Sequence, residues 1–161
     1  MAPTSLVLDS RGQIVWSLLP EILADFNIDM SVVGDEIVSF IEPTDILEVC
    51  RTLRENSSLE FDYLRCLSVV DYIERLEIVY HLFSLSNRYK VVVKASVSPE
   101  DPLAPSVVAV WPGADWFERE AHDLFGVVFE GHPDLQPLLL YDGFEGFPGR
   151  KNFPFHEYDE W

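Results

Sequence analysis

Hydrophobic and polar positions alternate most strictly in the middle of the chain. Leu76, Ile78, Tyr80, Leu82 and Ser84 interleave with Glu77, Val79, His81, Phe83 and Leu85, the period-two rhythm of a strand. The stretch 61–71 is rich in Val, Leu and Tyr, and 89–97 reads YKVVVKASV, with Asn87-Arg88 as a tight turn before it. Three long strands with short connections predict an antiparallel meander. Upstream, 29–33 and 36–41 alternate on either side of Gly34-Asp35, a hairpin signal. Two helical patterns accompany the strands. In 15–26, Trp16, Leu19, Leu23 and Phe26 share a face, with Pro20 placed near the first turn. In 45–55, Ile46, Val49, Cys50 and Leu53 share a face behind Thr44 as N-cap. Residues 1–12 read as a loose start, 98–102 as a loop and 103–111 as a short helix. The predicted class is α+β: an antiparallel sheet flanked by amphipathic helices.

From Trp111 the pattern changes. Residues 111–154 hold six of the eight glycines and five of the eleven prolines, together with many large apolar side chains. Asp115 reads as an N-cap with Glu118 three residues on, as in a capping box. Phe117, Ala121, Leu124 and Phe125 then form one apolar face, and Gly126 ends the helix. Residues 127–129 read as a short strand. Beyond Glu130, Gly131, Pro133, Pro137, Gly143, Gly146, Pro148 and Gly149 leave no room for a regular element. Leu135 and Leu138-Leu139-Leu140 still call for burial, so this long irregular C-terminal arm must lie on something apolar. Residues 153–161 alternate rings and acids and fray unless a surface receives them. The chain reads as a single domain, with 1–110 an α+β body and 111–161 a helix plus an extended interface arm.

Composition narrows the function classes. The 161 residues carry 28 acids against 11 lysines and arginines, a net charge of −17. Phosphate contacts need basic side chains, so a nucleic-acid binder is disfavoured, as is a direct grip on an anionic membrane. An acidic protein that docks on basic partners fits better. Apolar runs fall short of the roughly 20 residues that span a bilayer. No basic, then apolar, leader is read at the N-terminus. Any membrane association is therefore expected through a partner. Cys50 and Cys66 belong to no CxxC and suit a reducing compartment.

Candidate chemistry is thin. Glu118 and His122 lie four apart on one helix face, a spacing that can hold two ligands of a metal, but no second histidine or thiolate accompanies them. A charged helix N-terminus with Arg119 as partner explains the same residues. His132, before Pro133, reads as a turn histidine that satisfies backbone groups, with no nucleophile motif or paired carboxylates to make it a general base. There is no GxGxxG or P-loop, and two cysteines cannot supply the about four ligands of an iron–sulfur cluster.

The run Glu118-Arg119-Glu120-Ala121-His122-Asp123-Leu124-Phe125-Gly126, then Gly131-His132-Pro133-Asp134-Leu135, then Leu138-Leu139-Leu140, resembles the C subunit of NADH–quinone oxidoreductase. This is the thirty-kilodalton subunit family of respiratory complex I, related to the J subunit of the cyanobacterial and plastid enzyme. Where the family pattern ends in P-L-R-K-D, this chain reads Pro148-Gly149-Arg150-Lys151-Asn152, keeping the basic pair but not the leucine or the carboxylate. The resemblance implies a subunit of the peripheral arm that binds no cofactor and has no catalytic residue of its own. Iron–sulfur clusters, flavin and quinone are then expected in partner subunits. It also implies docking on the hydrogenase-like large subunit of the quinone site and on iron–sulfur subunits, peripheral at the cytoplasmic face of the membrane or its organellar equivalent. Glu118, Arg119, Glu120, Asp123, Leu124, Phe125, Gly126, His132, Pro133, Asp134, Leu138, Arg150 and Lys151 are the matched positions, with structural and interface roles implied. Two alternatives stay open: an accessory subunit of a related membrane-bound hydrogenase or formate-oxidising complex, and a stand-alone metallohydrolase using Glu118, His122 and His132.

Overall fold

The computed structural model describes residues 8–154. The tail reading for 155–161 and the loose start at 1–7 lie outside them. Helix α1 (Ser10–Ile22) begins earlier than the apolar pattern predicts, because the Asp9 carboxylate accepts the Gly12 N–H at 2.7 Å and caps the first turn. Pro20 therefore sits near the helix end, not its start. The buried face is Val15, Leu19 and the following Leu23, while Trp16 is exposed. Strands β1 (Ile28–Val33) and β2 (Glu36–Ile41) pair antiparallel as predicted, turning at Gly34, whose φ is +67°. A single 3-10 turn, Pro43–Asp45, replaces the expected Thr44 cap and leads into α2 (Ile46–Glu55). Its Ile46, Val49, Cys50 and Leu53 are wholly buried.

The meander β3 (Tyr63–Asp71), β4 (Leu76–Phe83) and β5 (Lys90–Val97) forms as predicted, with antiparallel pairing throughout. The hairpin then joins it through one parallel pairing, β2 to β5, with Val38 opposite Val92, giving the order β1-β2-β5-β4-β3. Leu76, Ile78, Tyr80 and Leu82 of β4 face the main core with Leu67 and Val69 of β3 and Val91 and Val93 of β5. Both helices cover that face. The opposite face keeps a small separate cluster of Val38, Val79 and Val92, beside the Lys94–Glu77 pair at 2.8 Å.

Residues 103–111 are not a helix. Leu103–Pro105 form β6, which pairs in parallel with β7 (Val128–Glu130). Turns follow, fixed by the Trp111 indole N–H donating to the Phe61 carbonyl at 3.1 Å and by the Arg54 guanidinium on the Val110 carbonyl. Helix α3 (Ala114–Phe125) follows and packs beside β3. No described helix is long and apolar enough to cross a membrane.

Candidate functional site

The irregular arm is shaped by α3, and each motif side chain has a definite place. The capping box does not form: Gly113 precedes the helix, and Asp115 makes no side-chain cap. Glu118 instead points inward and is fully buried. Its carboxylate accepts the Ser106 hydroxyl at 2.6 Å and the Val107 N–H at 2.7 Å, pinning the segment after β6 to α3. Burial pushes the Glu118 carboxyl up to about 7, against the downward pull of those two hydrogen bonds and with a smaller upward push from Asp115.

Asp123 lies at the other end of the helix and faces the arm. One carboxylate oxygen accepts three consecutive backbone N–H groups, from Leu138, Leu139 and Leu140, at 3.1, 2.7 and 2.9 Å. Burial pushes its pKa up, but the three donors outweigh it and hold the carboxyl below the ordinary value. Four residues earlier, Arg119 donates to the carbonyls of Gln136 and Pro137 at 3.0 and 3.1 Å. One helix face thus binds both polarities of the arm backbone, a carboxylate on the N–H groups and a guanidinium on the carbonyls just before them.

The arm's far end is held the same way. Arg150 donates to the carbonyls of Phe125 and Pro99 at 2.7 and 2.9 Å, and the Gly149 N–H donates to the Leu124 carbonyl at 2.9 Å. A side chain at Gly149 would meet the Phe125 ring and that carbonyl at under 3 Å, so the close approach requires glycine. Gly126 ends α3 at φ +75°, and the Phe147 ring occupies the space where a Cβ would stand. The Lys151 N–H donates to Asp71 at 2.7 Å, and chiefly for that reason the Asp71 carboxyl lies below its usual range. Between the ends, His132 is enclosed. Its Nδ1 accepts the Asp134 N–H at 3.0 Å, so the proton sits on Nε2, which faces the Asp115 carbonyl at 3.3 Å. Pro133 and Asp134 themselves are exposed.

Sequence reasoning missed Asp71 and Ser106. Asp71 was findable: it continues the core-facing parity of Leu67 and Val69, and a carboxylate on a buried face needs partners. Ser106 gave no signal, since its role depends on which loop α3 meets.

Glu118 and His122, whose spacing could hold a metal, are each engaged elsewhere. Both oxygens of Glu118 are occupied, and the His122 Nδ1 lies 2.9 Å from the Val127 carbonyl, so the two do not converge on a common point as ligands would. Among the described residues no three His, Cys, Asp or Glu side chains gather in metal-binding geometry. Among the side chains that face outward are three large apolar ones: Trp116, Leu139 and Tyr141 are 66, 60 and 72% exposed. Glu120, also exposed, borders a groove of about 270 Å³ between α3 and β3, lined by Phe117, Leu124, Phe125 and Cys66.

Residues 40–159 match the family described as respiratory-chain NADH dehydrogenase, 30 Kd subunit. The C 2 subunit of the NADH-quinone oxidoreductase of Rhizobium meliloti is 46% identical over 123 residues, covering 74% of this chain and 67% of that protein. The chain spans half to about two thirds of the length of the first curated relatives it matches. A solved trypsin-resistant fragment (1–134) of Nqo5 is 30% identical at a TM-score of 0.62, covering 75% of this chain and 98% of the fragment. A chain of the archaeal membrane-bound sulfane sulfur reductase superposes at a TM-score of 0.73 over 86% of this chain and 85% of that one; at 24% identity it establishes the fold alone.

Proposed function

The chain belongs to the respiratory-chain NADH dehydrogenase 30 kDa subunit family, and on that premise we propose that it is a non-catalytic, cofactor-free subunit of the peripheral arm of a proton-translocating NADH:quinone oxidoreductase. In this reading it docks on the hydrogenase-like large subunit of the quinone site and on iron–sulfur subunits. The clusters, flavin and quinone belong to those partners, and the chain reaches the membrane only through them, at its cytoplasmic face.

The single observation that carries the reading is the division of labour in the arm. Arg119 and Asp123 turn inward and fix its backbone, and Arg150 anchors its far end on the Phe125 and Pro99 carbonyls. Trp116, Leu139 and Tyr141 are left outside, large exposed apolar side chains of the kind that anchor protein–protein interfaces. The matched cations thus act on assembly through the shape of the arm, not by touching the partner.

The test is to tag the chain in its native host, solubilise membranes gently and identify what co-purifies. The expected set is a hydrogenase-like large subunit, iron–sulfur proteins and membrane subunits, with Arg150→Glu reducing assembly while leaving the cofactor content of whatever assembles unchanged. A fully assembled but inactive Arg150→Glu complex would count against the structural role. Recovery of the chain alone with stoichiometric metal would replace the reading with the metallohydrolase. A set built around a hydrogenase or formate-oxidising enzyme would move the chain to that branch.

A further inference from the structure

The turn between β3 and β4 is built around an unfavourable residue. Ile73 has φ +71°, and the Glu74 N–H closes back on the Tyr72 carbonyl at 2.9 Å, the rarer and strained hand of the three-residue γ-turn. For a β-branched side chain a positive φ is a genuine outlier, and glycine or asparagine would sit there with less strain. The side chain recovers little of this inside the chain, because it is 66% exposed. An exposed isoleucine in the one backbone region that disfavours it points to a use outside the fold.

Its surroundings say what kind. Tyr72, also exposed, has the Arg75 guanidinium 4.2 Å from its ring centre and the Lys151 ammonium 5.9 Å away. Arg75, Arg150 and Lys151 are three of only 11 lysines and arginines in a chain of net charge −17, and all three lie around this turn. Glu74 and Glu100 line the same shallow pocket as Ile73 and Arg150, and Arg75 lies 3.9 Å from Glu77, which leaves the exposed Arg75 and Lys151 side chains as the outward cations. The turn is also tied to the arm. Asp71 accepts the Ile73 N–H at 2.6 Å through one oxygen and the Lys151 N–H at 2.7 Å through the other, so turn and arm end are set by one carboxylate.

We propose that this turn is a second docking knob, in which Ile73 enters an apolar pocket on a neighbouring subunit and Arg75 and Lys151 meet carboxylates on the rim of that pocket. It rests on the subunit role proposed above and adds a contact away from the arm's Leu139 and Tyr141. A membrane is the weaker occupant, because the overall −17 charge repels an anionic bilayer.

The test exploits opposite signs. In the tagged full-length chain, Ile73→Asn relieves the backbone strain and removes the knob, whereas Ile73→Val keeps a β-branched apolar side chain. The purified Ile73→Asn chain is expected to melt about 2–4 °C higher than the parent. In native membranes it should recover about tenfold less of the other subunits. Ile73→Val should recover them normally, and Arg75→Glu with Lys151→Glu should weaken recovery. A lower melting temperature for Ile73→Asn would overturn the strain argument. Undiminished recovery with that variant, when the parent chain does bring down its partners, would overturn the knob alone. If the parent brings down none, the subunit role itself has failed. Ile73-dependent binding to vesicles of anionic phospholipid, with subunit recovery intact, would overturn the protein pocket in favour of lipid.

Discussion

The body and the arm of this protein are held by different forces. In the body, α1, α2 and one sheet face bury Leu19, Leu53, Ile78 and Val93 completely. That burial is non-directional and roughly proportional to area. In residues 131–154 no residue is buried as a whole, and the enclosed His132 ring is polar. The arm nevertheless has a defined course, because Arg119, Asp123 and Asp71 bond its backbone directly and its own Arg150 grips the Phe125 and Pro99 carbonyls. A segment shaped by apolar burial must spend its apolar side chains on itself. One shaped by charged side chains on backbone groups can keep Leu139 and Tyr141 for something else.

The strongest way to separate the two is a pair of truncations. Leu53→Ala is expected to lower global stability by about 2–5 kcal/mol, read as a cooperative fall in denaturation midpoint. Asp123→Ala removes the common acceptor of three N–H groups. At roughly 1.5–3 kcal/mol for a hydrogen bond to a charged group, less non-additivity, the arm loses about 3–5 kcal/mol of docking. Hydrogen exchange should then find 131–154 open while the amides of β3, β4 and β5 stay protected. A collapse of both regions together in Asp123→Ala would erase the distinction.

The same division explains what could be read from the sequence. Where burial governs, the apolar pattern is the structure: the alternation in β4 and the Ile46–Leu53 face of α2 are found where predicted. Parity fails where partners are distant. The segment 103–105 is too short to show a strand rhythm, and its partner β7 lies beyond α3, so an apolar run reads as helical. The parallel pairing of β2 with β5 leaves no local trace either. Glu118 reads as a capping residue because sequence reading sees partners within a helix. Its actual partners, Ser106 and Val107, come from the preceding loop. For the arm, the residue types were legible through the family motif, but their direction was not. Whether Arg119 faces a partner or its own carbonyls is a question of geometry alone.

A smaller effect sets two carboxylates of α3 against each other. Glu118 is raised from 4.5 to about 7 by burial, so its favourable contribution is complete below the unfolded value and is lost as pH climbs through 7. The span corresponds to a contribution on the order of 3 kcal/mol, and Glu118→Gln should flatten the fall in stability across it. Asp123 and Asp71 are lowered, so their contributions are complete above the unfolded value of 3.8 and are lost as pH falls through their folded values. Acid should therefore loosen the arm, and the rise from pH 4.5 to about 7 the junction of β6 with α3. Protection of 131–154, corrected for the intrinsic rise of amide exchange with pH, that falls on the alkaline side first would contradict this assignment.

The least effect on folding is expected from the most conspicuous side chains. Leu139→Ala and Tyr141→Ala remove apolar groups that are 60 and 72% exposed, so the isolated chain should keep its stability within about 0.5 kcal/mol. The Leu139 backbone stays clamped, since its N–H still reaches Asp123 whatever its side chain. Loss of function, if these residues anchor a partner, must then appear only in the complex, as weaker retention of the chain by its neighbours of about tenfold or more for an anchoring position. The contrast with Leu53 is the point of the experiment. Both truncations remove a leucine side chain, one from a site where it is already desolvated and one from a site that only a partner could desolvate. Should Leu139→Ala and Tyr141→Ala destabilise the free chain as Leu53→Ala does, the arm would be a second core, and its outward face would have no claim to be an interface.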